Sequence, residues 1–322
     1  MMKQRVEYID ALRGLCIMWV VWYHSVHPDW VGYPFRLPVL FFVSGIFFKE
    51  YSWTVFWRKK VNMYIIPFIF FYLLYYVFLL AININDISSV SGHIFDVFRL
   101  YEGNGGFVCN YPLWFICALL NIQLFVYFFK RISQSDIALL VTSIIITIIG
   151  CAWFWKQYTP LFLGKSTTFL LYYVCGHLFG KKYISYIQDK RKLLWICPVL
   201  LIVIAVAYIL SGCNLNSILT ILSDQIHFLS IALLLIVVFR LINDKSVSKV
   251  FKFFGKNSLI IFGLHDMYLS ILTIVYCKLV GTPNNYIGVA FVIVTLIMIW
   301  PSVFFLHRWF PKFVGKDQFF KV

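Results

Sequence analysis

The chain has 322 residues, of which 61% are hydrophobic, 20% aromatic and 13% charged, with a mean hydropathy of +0.84. These proportions exclude a soluble globular domain and identify a polytopic membrane protein. The formal net charge of +15 does not point to nucleic acid, because the basic residues sit in short clusters between apolar runs, which fits the positive-inside bias of cytoplasmic loops.

At roughly 20 residues per crossing, ten segments qualify as spans, near residues 11–28, 34–48, 63–82, 111–129, 136–154, 166–180, 193–211, 217–242, 257–279 and 286–307. The reading is an all-α fold of about ten transmembrane helices, forming one domain over residues 1–322 with no fused soluble domain. The second and sixth segments are short for a full crossing and are expected to be broken, tilted or extended by polar flanks. With the N-terminus placed inside, 23 of the 28 lysines and arginines fall in inner connections, and only Arg36, Arg99, Lys156, Lys165 and Lys278 in outer ones. That asymmetry supports an even number of spans and predicts that both termini are cytoplasmic.

The first segment follows Lys3 and Arg5, and no small-x-small cleavage site comes after it, so it is expected to remain in the protein. It carries Arg13 and His24, and ionisable side chains at membrane depth are costly and usually functional. The eleven-residue separation is three helical turns plus roughly 20°, so the two share one face about 16 Å apart along the axis. Arg13, near the inner end, either snorkels to the head groups or offers a bidentate fork to a phosphate-bearing donor. Asp10, one turn earlier, orients it or caps the helix. His24 is either a packed histidine or a neutral imidazole acting as general base. His27 at i+3 invites a metal pair, but no Asp, Glu or Cys set completes a site, and no metal is expected.

In the second segment Ser44 and Gly45 are the small residues that let helices approach closely, and no G-x-S-x-G elbow supports a nucleophilic serine. The run Arg58, Lys59 and Lys60 either adds to a positive inner mouth or only sets topology. The longest connection, residues 83–110, faces outside and has the length of a lid or binding loop. It contains Asp96 and Glu102 as candidate polar contacts, while Phe107, Tyr111 and Trp114 offer stacking faces. An interfacial aromatic belt accounts for the tyrosine and tryptophan equally well. The eight cysteines are scattered without a CxxC pair and are read as small hydrophobes. In the ninth segment His265 either lines the cavity of His24 or packs against a neighbour.

These residues form patterns. Asp10-Ala-Leu-Arg13-Gly14, then His24, then Pro38-x-x-Phe-Phe-x-Ser44-Gly45, closely resembles the acyltransferase 3 family of bacterial integral-membrane O-acyltransferases. Pro112-Leu-Trp114-Phe-Ile, Gly255-x-x-Ser258-x-x-Ile-Phe-x-x-His265 and the basic run leading to Pro67 are similar to further family features. The resemblance implies a cytoplasmic acyl-CoA donor, acetyl-CoA above all, as a co-substrate and not a resident cofactor. It implies an acceptor hydroxyl on a cell-surface polysaccharide or lipid-linked sugar, a multi-pass location in the cytoplasmic (inner) membrane, and polysaccharide-assembly proteins as partners. Arg13 would correspond to the arginine that holds the phosphate-rich part of the donor, and His24 to the essential histidine. An extended pantetheine arm covers the roughly 16 Å between them. Asp10, Ser44, Trp114, Ser258 and His265 are the supporting candidates; Asp96, Glu102 and Tyr111 are those for the acceptor. Some relatives carry a fused extracytoplasmic domain, and its absence here implies direct action on the acceptor or hand-over to a partner. A transporter or exporter of a glycan or small anion, and a non-catalytic assembly partner, stand as the alternatives.

Overall fold

A chain this apolar satisfies its backbone N–H and C=O groups inside hydrocarbon only by forming helices or closed barrels. The computed structural model describes residues 6–96, 109–154, 159–213, 216–243 and 245–321, and among them there are helices and turns but no strand. The principal helices are α1 (Glu7–Tyr23), α2 (Arg36–Ile46), α3 (Trp53–Ile82), α4 (Trp114–Ile132), α5 (Asp136–Phe154) and α6 (Leu163–Tyr186). They continue as α7 (Lys190–Gly212), α8 (Ser217–Leu241), α9 (Ser246–Lys256), α10 (Ser258–Leu279) and α11 (Asn285–Trp309). Their starts are written in the sequence: Ser135, Asp189, Asn216 and Asn284 each accept a hydrogen bond from a first-turn N–H of α5, α7, α8 and α11.

Seven helices among the described residues (α3, α4, α5, α7, α8, α10 and α11) are long and apolar enough to cross a bilayer. The other three expected spans are the helices α1, α2 and α6. Most of their apolar residues are buried or half-buried, with Leu12, Cys16, Val39, Phe41 and Tyr173 fully so. Two glycine pairs set how closely these helices pack. A Cβ on Gly14 of α1 would lie 1.9 Å from the Phe251 carbonyl oxygen, and one on Gly255 of α9 would lie 1.7 Å from that of Asp10. A Cβ on Gly45 of α2 would lie 2.0 Å from the Tyr173 oxygen, and one on Gly176 of α6 would lie 1.9 Å from that of Phe42. No side chain fits at these positions, so backbone meets backbone.

The sixth helix is longer than the segment 166–180, running 24 residues; the second is shorter, at 11 residues, and rises only about 16 Å. A helix that short does not bridge a hydrocarbon layer of about 30 Å. Both of its ends open onto cavities, the setting in which irregular backbone is tolerated at membrane depth.

Three further features differ from the sequence reading. The basic connection before α10 contains α9, an amphipathic helix lying along the start of α1, where Lys252 Nζ bonds Glu7 Oε2 at 2.7 Å. The long connection after α3 folds, over residues 84–96, into short helical turns docked on α3 through Tyr72 and Tyr76, whose hydroxyls donate to the carbonyls of His93 and Ser91. A π turn at Val61–Ile65 precedes Pro67, which has no N–H to give the helix. Its Asn62 grips the C-terminal segment, donating to the Phe320 carbonyl at 2.8 Å and accepting from the N–H groups of Phe319 and Phe320 at 3.1 Å.

Candidate active site

Arg13 stands in the second turn of α1 and His24 just past its C-terminal end, and each meets a residue of α10. The Arg13 guanidinium donates from Nη2 to Ser258 Oγ at 3.0 Å, and its Nη1 lies 4.0 Å from Asp10 Oδ1. The His24 ring lies 5.2 Å from that of His265, centroid to centroid. Ser258 and His265 are seven residues apart, two turns on one helix face, so α1 and α10 run in the same direction and touch through these two pairs. Asp10 lies inside the first turn and is buried; the helix-start position belongs to Val6, so Asp10 acts beside Arg13 and not as the cap.

Around Arg13 a cavity of about 610 Å³ collects Asp10, Ser44, Lys49, Lys59, Lys60 and Lys181. Lysines from the end of α2, the start of α3 and the end of α6 therefore converge on one mouth. Arg58 is not among them: its Nη1 donates to the Lys321 carbonyl at 3.2 Å on the exposed side of α3. Ser44 Oγ donates to the Leu40 carbonyl of its own helix at 2.7 Å, which leaves it a lining residue without an adjacent base.

A narrower cavity of about 170 Å³ shares Arg13, Ser44, Met63 and Tyr64 with the first and adds Ser258 and Phe262. Phe262 also lines a third cavity of about 520 Å³, which holds His24, Tyr111 and Trp114. The three cavities thus follow α1 from the Arg13 end to the His24 end. In this third chamber the starts of α2, α4 and α6 meet the end of α1, whereas the opposite helix ends surround Arg13.

The chamber also holds two cations that the sequence reading counted only toward topology, Arg36 and Lys165. Their signal was available: they are two of the five basic residues on a side otherwise depleted of them. Lys165 Nζ donates to Tyr111 Oη at 2.6 Å and sits 4.2 Å over the Trp114 ring, so these aromatic faces are already engaged by an ammonium. Arg36 donates from Nη1 to the Tyr33 carbonyl at 3.1 Å and lies 3.9 Å over the Tyr23 ring. In the loop between α1 and α2, burial pushes the Tyr33 phenol up to about 12, with Tyr208 and Asp224 adding to the effect, and Tyr33 bonds His227 as a neutral group. Asp96 is buried against His93 Nδ1 at 2.9 Å and does not line the chamber. Glu102 and Phe107 lie outside the described residues.

His265 is fully buried, and its Nδ1 faces the carbonyls of Ile261 and Phe262 at 2.9 and 3.1 Å. A carbonyl only accepts, so Nδ1 carries the proton and Nε2 is the bare acceptor, buried without a protein partner.

A family model described as an acyltransferase domain matches residues 6–306. The chain belongs to the acyltransferase 3 family. The inward-facing residues of α1, α2, α4 and α10 fall within the matched region, and seven of the described helices are long and apolar enough to cross a membrane. The inner membrane protein YcfT of Escherichia coli (strain K12) is 34% identical over a match that covers 19% of this chain and 24% of that relative. No solved structure matches the chain.

Proposed function

We propose that the protein is an O-acyltransferase that moves an acyl group, acetyl as the expected case, from acyl-CoA to a hydroxyl of a cell-surface polysaccharide or lipid-linked sugar. The observation that carries this reading is the succession of three cavities along α1, neighbours through shared lining residues, basic at the Arg13 end and with His24, about 16 Å further along the axis, in the last. CoA phosphates sit at the mouth against Arg13, Lys59 and Lys60. The pantetheine arm passes Ser44 and Ser258, and the thioester reaches His24. His24 takes the proton of the acceptor hydroxyl, whose oxygen attacks the thioester carbonyl. The C–S bond then breaks, and the thiolate leaves with the proton as free CoA.

In this reading α1 and α10 are the first and ninth of ten spans, which agrees with their common direction. Both termini then face the cytoplasm in the cytoplasmic membrane, the donor enters from that side, and the acceptor arrives from the other. Acylation completes either directly or through separate polysaccharide-assembly proteins.

Mass spectrometry of surface glycans from wild-type, deletion and His24→Ala strains tests the function. The expected result is loss of one acyl mass in both altered strains with the polymer retained. Unchanged acylation overturns the reading, and loss of the polymer itself assigns the protein to assembly or export.

A further inference from the structure

Arg36 is only 4% exposed, yet its guanidinium lines the His24 chamber. It meets the Tyr33 carbonyl and Tyr23, through both the ring face and a side-chain hydrogen bond, all of them neutral groups; among the described residues no carboxylate forms an ion pair with it. A guanidinium has five N–H donors in a fixed fork. Removing such a charge from water without a counter-charge is costly, and buried arginines normally meet a carboxylate or phosphate in bidentate fashion. A second feature points the same way. The helix α2 begins at Arg36 itself and Phe35 offers no side-chain cap, so the positive end of the helix dipole lies at the same place.

We infer that Arg36 makes this chamber a receptor for an acidic sugar, so that the acceptor carries a carboxylate or phosphate close to the hydroxyl that receives the acyl group. This rests on the reading of the chamber as the acceptor's place. The donor's own phosphates do not account for Arg36, because they belong to the mouth at the other end of α1, about 16 Å from His24. The charge-bearing acceptor supplies a counter-ion to Arg36, and the fork orients the ring beside His24.

Ligand-observed saturation-transfer NMR on the full chain in nanodiscs, without acyl-CoA, tests this with three probes: glucose, glucuronate and glucose 1-phosphate. Wild type is expected to bind at least one of the two acids about tenfold or more tightly than glucose, as a charge-assisted bidentate contact gives. The preferred acid identifies carboxylate or phosphate as the recognised group. Arg36→Met should abolish the preference, and Arg36→Lys, which keeps the charge without the fork, should retain part of it. Equal binding of all three probes to wild type overturns the inference, as does a preference that survives Arg36→Met. If Arg36→Met does not fold, the wild-type comparison decides by itself. Binding requires neither donor nor turnover, so a negative result leaves acyl transfer at His24 standing, and a failure of acyl transfer leaves the binding result standing.

Discussion

The imidazoles of His24 and His265 lie 5.2 Å apart, one at the end of α1 and one on α10, and only His265 has its tautomer fixed by backbone carbonyls. The buried Nε2 of His265 is thereby an acceptor beside the group proposed to move the proton. His265 is a positioning residue in this arrangement. His265→Phe, which keeps the volume and removes the acceptor, should lower kcat by about 10²-fold while leaving the KM for acyl-CoA unchanged. Steady-state kinetics on purified protein checks the split, and an unaltered kcat would assign His265 to packing alone.

Arg13 should act on binding. Arg13→Ala is expected to weaken acyl-CoA binding about 10- to 100-fold, the scale of a lost charge-assisted contact. Ser258→Ala, which removes the hydroxyl that accepts from Nη2, should have a smaller effect in the same direction. Titration calorimetry with a non-hydrolysable acyl-CoA analogue measures both. Because the Arg13 side chain is partly exposed, raising the salt to 1 M, where the Debye length is about 3 Å, should weaken wild-type binding more than that of Arg13→Ala.

The contact between α1 and α9 admits no side chain. Gly14→Ala and Gly255→Ala each drive a Cβ into a backbone carbonyl, at 1.9 and 1.7 Å, and backbone does not yield as a flexible side chain does. Each should cost about 3 kcal/mol or more and sharply reduce the folded yield in size-exclusion chromatography. A monodisperse Gly255→Ala protein with wild-type Tm would contradict the packing.

How much of this was legible in the sequence depended on periodicity. Arg13 and His24 stood out because ionisable groups eleven residues apart interrupt an apolar run on one helix face, and Ser258 and His265, seven apart, share one face of the partner helix. Arg58 could not be separated from Lys59 and Lys60 until the helix phase was known: successive residues diverge by about 100°, and that rotation turns Arg58 toward Lys321. Arg36 and Lys165 went unread because a basic residue near a helix end fits a topological explanation equally well. The helix α9 was hidden inside a lysine-rich connection, and α2 was read at a length that its cavity-lined ends make unnecessary.

Asn62 ties the C-terminal segment to the π turn with three hydrogen bonds and is buried. Asn62→Ala leaves two N–H groups and a carbonyl without partners and should destabilise by about 1–3 kcal/mol. Asn62→Asp keeps the acceptor for Phe319 and Phe320 and should be milder. Thermal unfolding in detergent distinguishes the two, and an Asn62→Ala protein as stable as wild type would deny the strap any stabilising role.

The most direct measurement pairs binding and chemistry on one sample: purified wild-type and His24→Ala protein in nanodiscs, assayed for acyl-CoA affinity and for release of free CoA in the presence of acceptor glycan. The expected result is that His24→Ala binds acyl-CoA within about twofold of wild type and releases no CoA, its loss being confined to proton transfer. Undiminished CoA release by His24→Ala, or a wild-type protein that does not bind acyl-CoA, would contradict the assignment of α1 as the helix along which the donor lies.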